Sequence, residues 1–400
     1  MSQAIRSAQI PLAESQNVKQ GLDTTILLIY GVLACIGLVM VTSASISVAD
    51  AQMNDPFFYG KRQFLRLLLG ALLMWIAYRV PTQVWKESGM ILMLSSIVLL
   101  ILVLIPGFGR TVNGATRWLD LVVVTVQVSE IAKLFLIIYL SGYLIRRSNE
   151  VQSGVMGFIK PMIILALASA LLLMEPDFGA AAVLLMTGLG MMFLGGVRFG
   201  QFLVFVLGTL TIMVILAYVS PYRMARVTSF LDPWADPFNS GFQLTQSLIA
   251  IGSGGLSGTG LGGSIQKLFY LPEAHTDFLF AVYAEEFGLS GVVFLIALYT
   301  WFAVRCFQIG KKALLKGQAF GAYMVYGVGL LVSIQALINM GVNMGALPTK
   351  GLTLPFISYG GNSILIMSFG IGLVLRVAYE SNQQEKPKKK PTKSQQKVVQ

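Results

Sequence analysis

The sequence predicts an all-α polytopic membrane protein with ten transmembrane helices. Its composition excludes a soluble globular protein, because 55% of the 400 residues are hydrophobic and 12% are charged, whereas a soluble domain carries about 25% charged residues. Ten apolar runs are long enough to cross a hydrocarbon core, which takes roughly 20 residues per helix. Only helices fit these runs, since they are too long for barrel strands and unpaired backbone groups are costly in lipid.

The ten runs divide the chain into a leading segment, a membrane domain and a tail. We predict a cytoplasmic N-terminal segment at 1–22, a ten-helix membrane domain at 23–379 and a disordered basic cytoplasmic tail at 380–400. The first twenty residues lack the apolar core of a cleavable signal peptide, so the first span is expected to remain as an anchor. The predicted spans lie at 24–46, 63–80, 88–106, 129–146, 158–175, 178–197, 200–219, 278–305, 319–341 and 354–376.

Lysine and arginine residues predict the orientation in the membrane. An even number of spans puts both termini on one side, and 19 of the 29 Lys and Arg residues then fall on that side. The positive-inside rule therefore predicts cytoplasmic termini. The lysine-rich tail is expected to be attracted to anionic lipid heads, and nucleic-acid binding is the weaker interpretation.

Ten Lys and Arg residues remain outside, where orientation gives no reason for them, and seven of these lie in or beside the outward loops or the outer ends of helices. Long basic side chains often extend toward lipid phosphates, which is a sufficient explanation for any one of them. Together they indicate an anionic substrate, because Lys and Arg form charge-assisted hydrogen bonds with diphosphates. At a membrane surface the available diphosphates are polyprenyl-linked. The seven are Arg110, Arg117, Lys133, Arg223, Arg226, Lys267 and Lys350.

The longest outward connection, 221–276, is predicted to form a large outer loop between the seventh and eighth spans. Loops of this length are usually functional, and this one includes a predicted amphipathic helix at 242–251. Its residues 252–263 include seven glycines, three of which formally match a dinucleotide-binding fingerprint. We reject that match, because no strand precedes it and no βαβ unit follows. A flexible hinge or a close backbone approach to substrate explains the glycines better.

The strongest constellation follows this loop, where His275, Thr276 and Asp277 enter a predicted membrane helix. A carboxylate there lies at the lip of the bilayer, where a lipid-linked sugar would present its hydroxyl. The structural alternative makes Thr276 an N-cap and Asp277 a partner of the helix dipole. Glu285 favours a functional role, because on a helical wheel it lies within about 80° of Asp277, so that two carboxylates share one face of an apolar helix. Glu286 falls on the opposite face and is predicted to pair with another helix.

A second constellation opens the predicted fourth span. Glu130 and Lys133 are three residues apart, on one helix face near its outer end. Ser129 is a reasonable N-cap, so a capped helix with a local ion pair is one interpretation. The other is a lysine held beside a carboxylate so that it meets a diphosphate without being an unpaired charge in lipid. Just upstream, Arg117 and Trp118 are typical of a membrane interface.

A third constellation lies before the last predicted span, in residues 347–362. Two prolines and three glycines in this stretch predict a broken or re-entrant helix. Such a helix is tolerated only where it is buried or lines a cavity. It can present backbone groups to a ligand.

These stretches resemble the SEDS family (shape, elongation, division and sporulation), and the resemblance covers about 23–379. Residues 270–280 and 347–361, with the motifs Pro-Glu-Ala-His-Thr-Asp and Pro-Thr-Lys-Gly, look like the family's division branch, FtsW, rather than its elongation branch, RodA. The break at 175–179, Glu-Pro-Asp-Phe-Gly, also resembles the family's pattern. The expected fold is the ten-helix SEDS fold.

The resemblance implies a peptidoglycan glycosyltransferase that polymerises lipid II at the division septum, outside the inner membrane. Expected partners are a class B penicillin-binding transpeptidase of the FtsI type and other divisome membrane proteins. The family's catalytic aspartate maps onto Asp277, the expected general base. A divalent cation, Mg²⁺ or Mn²⁺, is an expectation at the diphosphate oxygens, and no organic cofactor is expected. The predicted substrate-binding residues are Arg117, Glu130, Lys133, His275, Thr276, Glu285, Lys350 and Ser358.

Two functions of other classes stay open at this point. A flippase for lipid II would also need ten spans, intramembrane charges and a broken helix, although the inverted repeats typical of transporters are not evident. A divisome scaffold would need only apolar helix faces and would have no use for Asp277 or Lys133. Convergence of the outward charges on one cavity would favour the enzyme.

Overall fold

The computed structural model describes residues 22–112, 115–120, 125–219, 224, 228–239, 241–348 and 351–383. The predicted N-terminal segment up to residue 21 and the basic tail from residue 384 lie outside this part of the chain. So do three of the seven predicted outer cations, Arg223, Arg226 and Lys350.

The described part of the chain is mostly helical. Helices occupy Thr24–Met53 (α1), Phe58–Arg79 (α2), Thr82–Leu104 (α3), Val128–Arg146 (α4), Ser148–Ser153 (α5), Val155–Met174 (α6), Phe178–Leu194 (α7), Phe199–Val219 (α8), Phe242–Ser253 (α9), Leu279–Leu315 (α10), Ala319–Asn343 (α11) and Gly361–Gln383 (α12). Three short strands occupy Gly109–Val112 (β1), Ala115–Asp120 (β2) and Thr125–Gln127 (β3).

A helix lies in each of the ten predicted spans, and α9 lies where the amphipathic helix was predicted. Within the described residues, seven helices are long and apolar enough to cross a membrane: α1, α3, α4, α6, α10, α11 and α12. Helix α7 is shorter, α8 has a short apolar stretch at Phe199–Thr209, and α2 carries Lys61, Arg62 and Arg66 in its first turns. The membrane class is confirmed, and the count of ten crossings stays a prediction.

The prediction of a purely α-helical chain is wrong at one place, between α3 and α4. Here β1, β2 and β3 form a three-stranded antiparallel sheet in sequence order. Trp118 is the shared centre of the sheet, because it pairs with Arg110 on β1 and with Gln127 on β3. The sheet satisfies the backbone groups of a connection that helices could not make in so few residues.

The predicted start of the last span is also wrong. Helix α12 begins at Gly361, seven residues after the predicted start, and residues 351–360 form no helix. Most of this stretch is buried, which confirms the predicted break in a helix and its burial. We refer to residues 351–360 as the buried segment.

Helices α4 and α11 lie at the centre of the molecule. Buried residues make up 83% of the apolar stretch of α4 and 72% of that of α11, against 28% for α3. Helix α11 packs against α10, α4 and α7, whereas α12 packs against α2. Polar side chains on α4 and α11 therefore face protein, and the functional site is built around them.

Candidate functional site

Asp277 lies two residues before the start of α10, in a turn, and its side chain is partly buried. Its backbone carbonyl accepts two hydrogen bonds from α11, from Asn339 Nδ2 at 2.9 Å and from Asn343 Nδ2 at 3.1 Å. Its carboxylate faces the buried segment, because a Cβ atom added at Gly351 would lie 3.0 Å from Asp277 Oδ2. The aspartate is thus held by its main chain, and its carboxylate packs closely against Gly351.

Asp277 and Glu285 do not share a helix face, so that prediction is wrong. Asp277 precedes the helix, and the wheel calculation does not apply to a residue in a turn. The predicted N-cap role of Thr276 is wrong as well, since α10 has Phe278 at that position with no side-chain cap. The Thr276 hydroxyl instead donates to Glu273 Oε2 at 2.6 Å.

The buried segment is hydrogen-bonded to helices on several sides. Gln63 Nε2 of α2 donates to Ile357 O at 3.4 Å, and the Tyr299 hydroxyl of α10 donates to Pro355 O at 2.5 Å. The Ser358 hydroxyl oxygen accepts from the Leu354 backbone N at 3.0 Å and is buried. Ser358, a predicted substrate-binding residue, is therefore engaged in shaping this segment.

Glu130 and Lys133 form the ion pair that the sequence predicts in α4. Lys133 Nζ lies 2.9 Å from Glu130 Oε1, and the lysine side chain has no exposed surface. The same ammonium donates to Gln335 Oε1 of α11 at 2.9 Å. The other carboxylate oxygen of Glu130 is buried and has no hydrogen-bond partner among the described residues. The pair is thus neutralised and tied to α11, with one acceptor left over.

Ser129 is not the N-cap of α4. The helix begins at Val128 after Gln127, and the Ser129 hydroxyl oxygen accepts from Gln127 Nε2 at 3.1 Å. The predicted N-cap therefore lies two positions after the observed one, Gln127.

Arg117, on β2, contacts the turn between α6 and α7. Its Nη2 donates to Pro176 O at 2.6 Å and its Nε to Glu175 O at 3.3 Å, while Asp177 Oδ2 lies 3.9 Å from Nε. Asp177 Oδ1 in turn accepts from Ala180 N and caps α7. The guanidinium is thus occupied by this turn, and no contact joins it to Lys133 or Asp277.

The same turn contains a buried carboxyl group that sequence reasoning passed over. Glu175 has no exposed surface, and neither carboxyl oxygen has a hydrogen-bond partner among the described residues. Burial and then the Asp177 carboxylate raise the pKa of Glu175 from 4.5 to about 8, with Arg117 opposing them. Its carboxyl is therefore mostly protonated at neutral pH.

His275 belongs to an aromatic cluster rather than to a charged one. Its ring centroid lies 4.7 Å from that of Tyr59 and 5.7 Å from that of Tyr359, and its carbonyl accepts from Tyr359 N at 3.0 Å. Burial lowers the pKa of the His275 imidazole, against a smaller opposing effect of Glu273. The neutral ring packs against the start of α2 and against the buried segment, next to Asp277.

Glu285 and Glu286 bind the outer loop. The Glu285 carboxylate accepts from Ser264 Oγ at 2.5 Å and from Ile265 N at 3.0 Å. Glu286 Oε1 accepts from Lys267 Nζ at 2.7 Å and from Ser43 Oγ of α1 at 2.9 Å. The predicted pairing of Glu286 with another helix is confirmed, whereas Glu285 is committed to the loop and has no contact with Asp277.

The glycine-rich stretch is joined to a break in α10. Gly288 has φ 65° and ψ −165°, a conformation that interrupts the helix. A Cβ atom at Gly258 would lie 2.2 Å from Glu286 O, so only glycine allows this contact. The close backbone approach predicted for the glycines is therefore to the protein's own helix. Four hydrogen bonds of 2.9 to 3.1 Å join the two backbones: Thr259 N to Glu285 O, Gly260 N to Glu286 O, Leu289 N to Gly255 O and Ser290 N to Leu256 O.

We call residues 254–267, together with Glu285 and Glu286, the loop anchor. Lys267 Nζ pairs with Glu286 Oε1 and donates to Ser43 Oγ, while Glu286 Oε2 is buried with no hydrogen-bond partner among the described residues. Lys267 is thus engaged within the protein. Convergence of the outer charges on one cavity, which would favour the enzyme, is not observed among the described residues. Lys133 and Asp277 share α11 as a bridge, whereas Arg117 and Lys267 belong to two other clusters.

The bridge is a set of three amides that sequence reasoning missed. Gln335, Asn339 and Asn343 follow one another at intervals of four residues in α11, and all three are buried. Such an interval places them on one helix face. Three amides in an apolar helix are a signal that the sequence offered, and we call them the amide ladder.

A metal site made by the protein alone does not fit the described residues. No group of three or more His, Cys, Asp or Glu side chains converges among them. A divalent cation would have to take most of its ligands from substrate oxygens.

Comparison with known proteins agrees with the resemblance noted in the sequence. A family model described as cell cycle protein (FtsW, RodA and SpoVE) matches residues 23–383. A probable peptidoglycan glycosyltransferase FtsW of Thioalkalivibrio sulfidiphilus is 54% identical over 381 residues, 95% of this chain and 94% of the relative. A protein of the same name from Coxiella burnetii is 52% identical over 349 residues, 87% of this chain and 94% of the relative.

Solved structures show the same fold. A chain of a peptidoglycan synthase complex that coordinates polymerization and crosslinking has a TM-score of 0.74 at 28% identity, covering 91% of this chain and 99% of its own. The rod shape determining protein RodA of Thermus thermophilus has a TM-score of 0.66 at 27% identity, covering 92% of this chain and 99% of its own. The predicted resemblance to SEDS proteins, and to their division branch, is confirmed.

Proposed function

Since the chain belongs to the cell cycle protein family of FtsW, RodA and SpoVE, we propose that it is a peptidoglycan glycosyltransferase of the bacterial inner membrane. In this proposal it polymerises lipid II into glycan strands at the division septum and releases undecaprenyl diphosphate. The observation that carries the proposal is one rigid helix, α11, which contacts both the Asp277 main chain and the buried Lys133 ammonium.

Asp277 is the proposed general base. The 4-hydroxyl of the acceptor N-acetylglucosamine attacks C1 of the donor N-acetylmuramic acid, and its proton passes to the Asp277 carboxylate. The C1–oxygen bond to the diphosphate breaks, and undecaprenyl diphosphate leaves with the bonding electrons. A base must lie within hydrogen-bond reach of the proton that it removes. The Asp277 carboxylate, which lies against Gly351 and belongs to a partly buried residue, is our proposed acceptor of that proton.

Lys133 is the proposed electrostatic partner of the diphosphate. Two of its three ammonium protons go to Glu130 Oε1 and Gln335 Oε1, so one remains for a phosphate oxygen. A buried cation beside developing negative charge is worth more than one in water. The lysine does not need an unpaired charge at rest, because Glu130 neutralises it.

The other predicted substrate-binding residues receive supporting roles. Arg117 organises the 175–177 turn, His275 and Thr276 shape the turn before α10, and Ser358 shapes the buried segment. Lys350 follows Thr349 directly before Gly351, and we keep it as a proposed diphosphate ligand from the sequence alone. Mg²⁺ or Mn²⁺, if bound, would neutralise diphosphate oxygens.

Topology and partners complete the proposal. The ten proposed spans rest on the apolar runs of the sequence, and the proposed cytoplasmic termini and periplasmic site rest on its charge distribution. A class B transpeptidase of the FtsI type is the proposed partner, supported by the structural likeness to a chain of a peptidoglycan synthase complex. Relatives named as probable peptidoglycan glycosyltransferases favour the enzyme over the flippase and scaffold alternatives.

The decisive experiment measures glycan polymerisation from labelled lipid II in detergent, with the transpeptidase and a divalent cation supplied. Asp277→Asn and Asp277→Ala should each lower the rate by about 100-fold or more, as for loss of a general base, while still binding lipid II. Asp55→Asn, at the exposed connection between α1 and α2, is the matched control and should polymerise normally. Normal polymerisation by the Asp277 variants would overturn the base assignment and reopen the flippase and scaffold alternatives.

A further inference from the structure

The amide ladder joins the two charged groups of the site through one helix. Gln335, Asn339 and Asn343 have relative exposures of 0%, 2% and 0%. Eight residues of α-helix span about 12 Å. Since α11 is among the most buried helices of the molecule, this rod has little freedom to move relative to its neighbours.

The lower end of the ladder holds Asp277. Asn343 Nδ2 donates to Asp277 O at 3.1 Å, and Asn339 Nδ2 donates to the same carbonyl at 2.9 Å. Asn339 Nδ2 also donates to Leu352 O at 2.5 Å. One carbonyl held by two amides leaves the Asp277 main chain with a single position, and Leu352 is fixed beside it.

The upper end of the ladder holds Lys133. Gln335 Oε1 accepts from Lys133 Nζ at 2.9 Å, while Gln335 Nε2 donates to Thr353 O at 3.1 Å. The same side chain therefore ties the ammonium to the buried segment. Lys133 thus contacts Gln335, and Asp277 contacts Asn339 and Asn343, so that both residues contact the same helix.

Neutral amides are suited to this task. The carbonyls of Asp277, Leu352 and Thr353 are outside regular helices and would be costly if buried without a donor. An amide satisfies them without adding a charge next to the carboxylate or the ammonium. The amides thus contribute by fixing the positions of these carbonyls.

We propose that Gln335, Asn339 and Asn343 are positioning residues that set the distance between the Asp277 carboxylate and the Lys133 ammonium, and so between acceptor hydroxyl and donor diphosphate. This rests on the proposed function. Each end of the ladder serves a different step of the reaction. Asn343 acts through the base, and Gln335 acts through the group that binds the diphosphate.

The molecule contains a matched control for a purely structural role. Gln63 Nε2 of α2 also donates to the buried segment, to Ile357 O at 3.4 Å, and Gln63 is fully buried. It contacts neither Asp277 nor Lys133. Loss of this amide tests what a general loosening of the buried segment does to the reaction.

The experiment compares Asn343→Leu, Gln335→Leu and Gln63→Leu in the full-length chain with its transpeptidase, measuring kcat and KM for lipid II together with Tm. Asn343→Leu should lower kcat about 10- to 100-fold, since a misplacement of about 1 Å can cost 100-fold, with KM within about twofold of wild type. Gln335→Leu should instead raise KM about tenfold. Gln63→Leu should lower Tm and leave kcat and KM within about twofold.

A fall in kcat in Asn343→Leu together with a rise in KM in Gln335→Leu supports positioning. Equal effects of all three variants on kcat and KM, or effects on Tm alone, overturn it. Asn343→Ala and Gln335→Met remove the same donors with less steric demand and replace any leucine variant that does not fold. Failure of the proposed function is distinguishable, because the wild-type chain would then make no glycan, whatever the variants do.

Discussion

Two regions of the molecule contain a buried lysine paired with a glutamate, and the two pairs differ in what surrounds them. In α4, Lys133 and Glu130 contact Gln335, and the amide ladder continues from there to Asp277. In the loop anchor, Lys267 and Glu286 contact only Ser43 of α1 among the described partners. The first pair is thus joined through α11 to the partly buried Asp277, whereas the second joins the outer loop to α1.

This difference shows why a buried charge in an apolar helix does not by itself identify a substrate site. Glu285 and Glu286 are as deeply buried as Glu130. Their carboxylates bind Ser264, Ile265 and Lys267 of the loop. These bonds hold the loop against the part of α10 that precedes the break at Gly288. What separates the two regions is whether the network reaches a carboxylate that is only partly buried.

The largest expected effect comes from making the same substitution in both regions. Lys133→Met and Lys267→Met each leave a buried carboxylate unpaired, which typically destabilises by about 3–5 kcal/mol. Lys133→Met should also lower polymerisation by about 100-fold or more, while Lys267→Met should keep kcat within about threefold at a temperature where it is folded. Thermal unfolding and polymerisation assays in detergent measure both quantities.

A double variant sharpens that test. Lys267→Met with Glu286→Met should regain most of the lost Tm, because an apolar pair often replaces a buried ion pair without loss. Equal activity losses in the two lysine variants would mean that the loop anchor also takes part in the reaction, and the contrast between the regions would be wrong.

A smaller effect is expected from a methyl group in the loop anchor. Gly258→Ala places a Cβ atom 2.2 Å from Glu286 O, whereas Gly260→Ala meets nothing within 4 Å. Both glycines have positive φ, 80° and 91°, so both variants bear a strain of about 1–2 kcal/mol. Gly258→Ala should therefore have the lower Tm by several degrees. Identical Tm values would show that the loop does not pack on α10 this closely.

The smallest expected effect is a pH dependence from Glu175. The folded protein releases this proton near pH 8 and the unfolded chain near pH 4.5. Between these values the folded state binds more protons, so stability falls as pH rises. In the wild type, Tm should fall between pH 5 and about 8. In Glu175→Gln this fall should be smaller by a few degrees.

Glu150→Gln is the matched control for this prediction. Glu150 is exposed, and hydrogen bonds from Lys160 and Arg147 lower its pKa below the ordinary value. It stays ionised in both states over this pH range, so its variant should keep the wild-type slope. An unchanged slope in Glu175→Gln would contradict the assignment to Glu175.

Sequence patterns were most reliable where one helix or one spacing determined the outcome. Apolar runs located a helix at each predicted span, and the interval from Glu130 to Lys133 predicted an ion pair that the structure contains. The prolines and glycines of 347–362 predicted a break in a helix. Each of these is decided by residues within a few positions of one another in the chain.

Predictions failed where the partner of a side chain lies far away in the chain. The wheel that joined Asp277 to Glu285 assumed a helix that begins two residues after Asp277. The contact of the Arg117 guanidinium with the turn at 175–177 was not predicted, and its binding of a diphosphate stays a prediction. The amide ladder was overlooked, because an amide's target can be any carbonyl of a distant segment.

The sequence alone therefore determined the membrane class, the family and the identity of Asp277 as the candidate base. These depend on composition and on local motifs, which need no knowledge of packing. Only the tertiary structure decided which distant groups each buried charge contacts. A charge in an apolar environment must be satisfied by whatever group the fold brings to it, and contacts such as Lys133 with Gln335 join residues 202 positions apart.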